Sequence, residues 1–68
     1  MVWNNRVSHL IQKIGYDIST GTMVIIFTDK TARYYRPVSY SLYTGFAHAT
    51  FPERFYHHVI EGKIPLVN

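Results

Sequence analysis

The sequence predicts an α+β domain in which a three-stranded antiparallel meander is followed by two helices packed on one face (β-β-β-α-α). Apolar side chains alternate with a period of two as far as Arg36, and after Pro37 they recur at helical spacing. A chain of 68 residues has room for a single hydrophobic core. The expected organisation is a flexible N-terminal segment at 1–6, one domain at 7–65 and a C-terminal tail at 66–68.

Three stretches rich in β-branched and apolar residues are the predicted strands: 7–17, 22–28 and 32–36. In the first strand, alternation directs Leu10 and Ile14 towards the helices and Ile11 away from them. Gly15 in the same strand indicates either a bulge or a close approach to its backbone. Short turns separate the three strands, and short connections favour antiparallel pairing.

Local signals mark the beginnings and ends of the two predicted helices. Ser39 is a candidate N-cap for the first helix, whose apolar stripe contains Leu42, Phe46 and Ala49. Thr50 and Glu53 have the spacing of a capping box, which predicts the start of the second helix. Gly62 is expected to end that helix.

The composition restricts the class of protein. The chain has no cysteine, which excludes disulfides and thiolate metal sites. Its first residues lack the pattern of a signal peptide, and no apolar stretch approaches the roughly 20 residues of a membrane span. We therefore expect a cytoplasmic protein with no membrane partner. The net charge of +3 favours a polyanionic partner.

No enzyme activity, metal or small-molecule cofactor is expected. Glu53 and Glu61 each lie four residues from His57, a spacing typical of weak pairs on a solvated helix face. His57 and His58 are adjacent, so on a helix they point about 100° apart and chelate one ion poorly. These side chains are predicted to lie at the surface, and no residue is assigned a catalytic or metal-binding role.

The sheet face away from the helices is the candidate binding surface. Alternation directs seven side chains to this face: His9, Ile11, Lys13, Val24, Ile26, Tyr34 and Arg36. Aliphatic side chains form its centre, with a ring and two cations around them. An exposed apolar patch rimmed by charge is typical of a contact surface.

Three interpretations of this surface remain open. A nucleic acid would stack its bases on Tyr34 and place its phosphates near Lys13. A protein partner would instead bury the aliphatic centre formed by Val24 and Ile26. In the third interpretation the local strand register differs, or the N-terminal segment around Trp3 covers the face.

Several short motifs follow one another along the chain: Ile14-Gly15-Tyr16-Asp17, Met23–Phe27, Tyr35, Val38, Leu42-Tyr43, Phe55-Tyr56 and Gly62-Lys63-Ile64-Pro65. Their order resembles the KTSC domain, a short family found at the C-terminus of some lysyl-tRNA synthetases and as stand-alone bacterial and phage proteins. The resemblance covers roughly residues 7–65. The chain departs from the family pattern where it has Lys30 for a turn glycine, Arg33 for the first tyrosine of a Tyr-x-Tyr motif and Ser39 for a proline.

The synthetase context of some members implies RNA binding. We therefore expect a non-catalytic RNA-binding module, with five basic or aromatic contact residues: Lys13, Arg33, Tyr34, Arg36 and Arg54. The alternative is a protein-interaction module that self-associates or docks on host machinery through Val24, Ile26 and Tyr34. Salt distinguishes the two, because phosphate contacts release counterions and weaken as salt rises.

Overall fold

The computed structural model describes residues 1–5 and 8–67 of the chain. It confirms the α+β class, with a four-stranded antiparallel sheet in the order β1-β2-β3-β4. The strands are β1 (Val2–Asn4), β2 (Ile11–Asp17), β3 (Thr22–Phe27) and β4 (Ala32–Tyr35). The helices are α1 (Tyr40–Ala47) and α2 (Pro52–Phe55), and α2 continues as a π-helical turn at Tyr56–Ile60. Within the described residues, no helix has the length and apolar character needed to cross a membrane.

The sheet has one strand more than the sequence predicts. Residues 1–6 are expected to be flexible, but Val2–Asn4 form β1 and pair with the outer edge of β2. Leu66 and Val67 of the predicted C-terminal tail are also bound to the sheet. Leu66 forms a bridge with Tyr35 of β4, and the Val67 N–H donates to the Tyr34 carbonyl oxygen at 2.7 Å. Val7, the predicted start of the first strand, lies outside the described residues.

The predicted face assignment at the start of β2 is wrong, because the strand contains a bulge. Ile11 pairs with Phe27 and Lys13 with Ile26, so Gln12 is an extra residue on β2. The bulge shifts the alternation by one position. Ile11 is therefore 1% exposed within the core, whereas Leu10 is 45% exposed.

One helix cap agrees with the sequence prediction and one does not. The Ser39 hydroxyl oxygen accepts a hydrogen bond from the Leu42 N–H at 3.0 Å, which confirms the N-cap of α1. The N-cap of α2 is Phe51, without a side-chain hydrogen bond, so the predicted capping box does not form. Glu53 instead accepts a hydrogen bond from the Leu10 N–H at 3.1 Å. The carboxylate thus links the start of α2 to the sheet.

The core lies between the helices and one side of the sheet, which we call the inner face. Its buried residues come from the sheet, the segment before α1 and the helical layer: Ile11, Ile14, Tyr16, Met23, Ile25, Tyr35, Val38, Tyr43, Phe46, Ala47, Tyr56 and Ile60. Tyr16 stacks on Tyr43 with a centroid distance of 5.0 Å and donates a 2.7 Å hydrogen bond to the Val38 carbonyl oxygen. Aromatic packing of this kind lets a short chain without disulfides bury a core.

Candidate functional site

The other side of the sheet, which we call the outer face, carries one row of residues across all four strands. Trp3 pairs with Gly15, Gly15 with Val24, and Val24 with Tyr34. Directly paired residues in a sheet project to the same face. The row therefore places a ring from β1 and a ring from β4 on the same face, at opposite edges of the sheet.

The indole of Trp3 lies against the backbone of Gly15. A Cβ atom added to Gly15 would lie 2.8 Å from Cε3 and Cζ3 of Trp3 and 3.0 Å from Cγ1 of Val24. Val24 is only 1% exposed, so the prediction of an exposed aliphatic centre is wrong at this residue. The third interpretation places the segment around Trp3 on this face, and Trp3 does lie there, against Gly15. The close approach predicted at Gly15 is confirmed.

Rings and a cation remain accessible on the outer face. Trp3 is 47% exposed and Tyr34 is 36% exposed. The Lys13 ammonium lies 4.8 Å from the centroid of the Trp3 ring, within the range of a cation–π contact. Lys13 pairs with Ile26, which is half-buried, and Arg36 is exposed just beyond the end of β4. The outer face thus combines aromatic and basic groups with little open aliphatic surface.

Two of the predicted contact residues lie elsewhere. Arg33 pairs with Ile25, so it belongs to the inner face. Its Nη1 atom donates to the hydroxyl oxygen of Tyr56 at 3.0 Å. Arg54 belongs to α2, where its guanidinium carbon lies 5.1 Å from the centroid of the Phe51 ring. Neither arginine joins Lys13 and Tyr34 on the outer face.

The inner face has its own polar cluster, which the sequence analysis missed. The hydroxyl oxygens of Tyr35 and Tyr56 are 2.7 Å apart. Burial, followed by this hydrogen bond, raises the pKa of Tyr35 to about 12. The hydrogen bond with Tyr56 is also the main cause that raises the pKa of the Arg33 guanidinium. Nothing local in the sequence indicates that the Tyr56 hydroxyl meets β4.

A cavity of about 250 Å³ opens beside this cluster, with Arg33, Glu53, Tyr56, His57 and Glu61 among its lining residues. Nδ1 of His57 lies 2.8 Å from one Glu61 oxygen, and Arg33 lies 3.9 Å from the other. Glu53 already accepts the Leu10 N–H. No group of three histidine or acidic side chains that could hold a metal occurs in the described part of the chain. The charged groups of this cavity therefore mostly bind one another.

A protein family and a solved structure share the fold of this chain. The family model of the KTSC domain matches residues 7–63, a range that excludes β1. The crystal structure of a KTSC domain protein from Yersinia pestis superposes with a TM-score of 0.84 at 30% sequence identity, covering 88% of this chain and 84% of that one. No curated protein matches the chain. The family match and the shared fold together establish that this chain belongs to the KTSC domain family.

Proposed function

We propose that this domain binds single-stranded RNA across the outer face of the sheet. The observation that carries the proposal is the row of paired residues, which has a partly exposed ring at each end, on Trp3 and on Tyr34. Each ring can stack on an unpaired base, a contact worth about 1–3 kcal/mol per base. The bases of a duplex already stack on one another, so an unpaired strand is the ligand that fits.

The charge distribution supports the same ligand. Lys13 lies beside the Trp3 ring, and Arg36 is exposed two residues after Tyr34. Three of the four acidic side chains are engaged elsewhere: Asp29 binds within its own turn, and Glu53 and Glu61 belong to the helical layer. Asp17, which ends β2 and pairs with Thr22, is on the outer face, where its carboxylate accepts hydrogen bonds from Ser19. Phosphates crossing the outer face near Lys13 and Arg36 would meet basic side chains.

The protein-binding alternative has less support. It depends on an open aliphatic centre at Val24 and Ile26, but Val24 is only 1% exposed and Ile26 is half-buried. Little aliphatic area remains for a partner to bury, and the centre of a protein interface is normally apolar. If a pull-down with this domain retains one protein partner after nuclease treatment, that result would favour this alternative.

RNA binding can be tested by fluorescence anisotropy with a labelled 12-nucleotide single-stranded RNA. Two phosphate contacts on a single strand predict that log K falls with log salt at a slope of about −1.4. Arg36→Glu removes one contact and adds a repulsive charge, so we expect the affinity to fall about tenfold and the slope to become shallower.

Lys63→Glu is the matched control, because it makes the same charge change in the turn after the π-helical segment. We expect this variant to bind nearly as well as the wild type. Equal losses in the two variants would point to general charge attraction rather than to a site on the outer face. Absent binding, or binding that does not respond to salt, would contradict the proposal.

A further inference from the structure

We infer that Gly15 is a positioning residue for RNA binding, because it holds the Trp3 ring in place, and that β1 is thereby part of the binding site. The inference rests on the proposed function and assigns a role to two residues, Gly15 and Trp3. Trp3 lies outside the residues matched by the family model, whereas Gly15 lies within them. The stacking ring on this side of the sheet is thus supplied by a segment beyond the family match.

Steric geometry carries the first step of the argument. The atoms that a Gly15 Cβ would meet are Cε3 and Cζ3 of the indole, both at 2.8 Å. Real Cβ atoms essentially never come within 3.0 Å of a heavy atom outside their own and the neighbouring residues. The same Cβ would lie 3.0 Å from Val24 Cγ1, so a shift of the backbone towards β3 gives it no room. Any side chain at position 15 therefore displaces the Trp3 ring.

The second step concerns how weakly β1 is held. The strand has only three residues, which pair with Tyr16, Gly15 and Ile14 at one edge of the sheet. Two of these three residues are exposed, Val2 by 55% and Trp3 by 47%. A three-residue edge strand makes few contacts, so we expect the packing of its indole against Gly15 to contribute to holding it in place.

The third step links this packing to the ligand. An indole held against Gly15 lies beside the Lys13 ammonium, 4.8 Å from the ring centroid. A nucleotide stacked on the ring would have this cation within reach of its phosphate. If the strand is docked in only a fraction of molecules, the apparent Kd rises by the inverse of that fraction. A side chain at position 15 should therefore weaken RNA binding without touching RNA.

A double-mutant cycle on Gly15→Ala and Trp3→Ala tests the inference with the full chain and the labelled 12-nucleotide RNA. Loss of one stacked base corresponds to a rise in Kd of about tenfold or more. We expect each single variant to show this rise, and the double variant to bind no more weakly than Trp3→Ala alone. Gly45→Ala is the matched control, because its Cβ would make only ordinary contacts at 3.7 Å with Phe55.

Tryptophan fluorescence gives a second readout that does not need RNA. Trp3 is the one tryptophan of the chain, so its emission reports on this site alone. We expect iodide to quench Trp3 more strongly in Gly15→Ala than in the wild type or in Gly45→Ala. If Gly15→Ala unfolds the domain, RNA binding is compared instead between the variants Trp3→Leu and Trp3→Phe. Leucine should then weaken binding about tenfold, and phenylalanine should retain most of it.

Three outcomes would overturn the inference. In the first, Gly15→Ala weakens RNA binding equally with and without Trp3, so that its effect does not act through the ring. In the second, quenching and Kd stay at wild-type values in Gly15→Ala. In the third, needed only if that variant unfolds, Trp3→Leu binds as well as Trp3→Phe. A wild-type chain that binds no RNA refutes the proposed function, and the quenching experiment then still decides whether Gly15 positions Trp3.

Discussion

The two faces of the sheet are covered in different ways, as the neighbouring residues Val24 and Ile25 illustrate. Both are almost fully buried, at 1% and 0% exposure. Ile25 belongs to the core formed with the helical layer, whereas Val24 is outside that core, on the outer face and in the same row as Trp3. Equal burial therefore does not mean equal support, because the inner face packs against the helical layer, whereas the outer face carries Trp3 from a three-residue edge strand.

This contrast separates stability from the proposed binding. Aromatic and aliphatic contacts on the inner face stabilise the fold, so truncating side chains there should lower the free energy of unfolding. The outer face keeps Trp3 and Tyr34 partly exposed, and a ligand can use them without opening the core. A domain of this size has a modest free energy of unfolding, so the two roles are best placed on different surfaces.

The largest expected effect comes from truncating one isoleucine on each face. Ile25→Ala removes a fully buried side chain from the core and should lower the free energy of unfolding by about 2–5 kcal/mol. Ile26→Ala makes the same chemical change at a half-buried position on the outer face and should cost clearly less. Urea unfolding of both variants measures the difference. Equal costs would mean that the outer face is packed as tightly as the inner one.

An intermediate effect is expected from the buried tyrosine pair. Tyr35→Phe removes the 2.7 Å contact with the Tyr56 hydroxyl and should cost about 1–2 kcal/mol at neutral pH. The pKa of Tyr35 is raised to about 12 in the folded chain, above the ordinary tyrosine value of 10.0. The folded state therefore holds the phenol proton more tightly, and this contribution is complete below pH 10 and lost as pH rises towards 12.

Urea midpoints measured from pH 9 to pH 11.5 test this linkage. Wild-type stability should fall with pH above about 10, because the unfolded chain releases the Tyr35 proton first. Tyr35→Phe should show a shallower fall over the same range. An unchanged slope in the variant would assign the alkaline loss to a different group.

The smallest expected effect concerns the charged cavity beside the tyrosine pair. Glu61 lies 3.9 Å from Arg33, and both side chains are about half exposed, at 47% and 48%. Pairs of this kind contribute about 0.2–1 kcal/mol and weaken in salt. Glu61→Gln should thus change the urea midpoint only slightly. A loss of unfolding free energy well above about 1 kcal/mol would show that the cavity wall stabilises the fold as strongly as the core does.

Sequence patterns predicted the parts of the site that depend on alternation alone. Lys13, Val24, Ile26 and Tyr34 lie on one face, as expected, since pairing in β2, β3 and β4 is regular from Lys13 onwards. The binding roles of these residues remain predictions. The charge of Arg33 suggests an RNA contact beside these residues, but its position in β4 directs its side chain to the inner face. Charge indicates a type of partner, whereas strand position decides which surface can meet that partner.

The sequence by itself determined the α+β class, the strands β2, β3 and β4 and the Ser39 cap, because each follows from periodicity or from contacts within a few residues. Only the tertiary structure decided the partner of Glu53, which is Leu10, 43 residues away in the chain. It also decided that the bulge falls at Gln12 and that Trp3 lies on Gly15. These features depend on contacts between distant segments, and a local pattern carries no information about which distant segment will supply the contact.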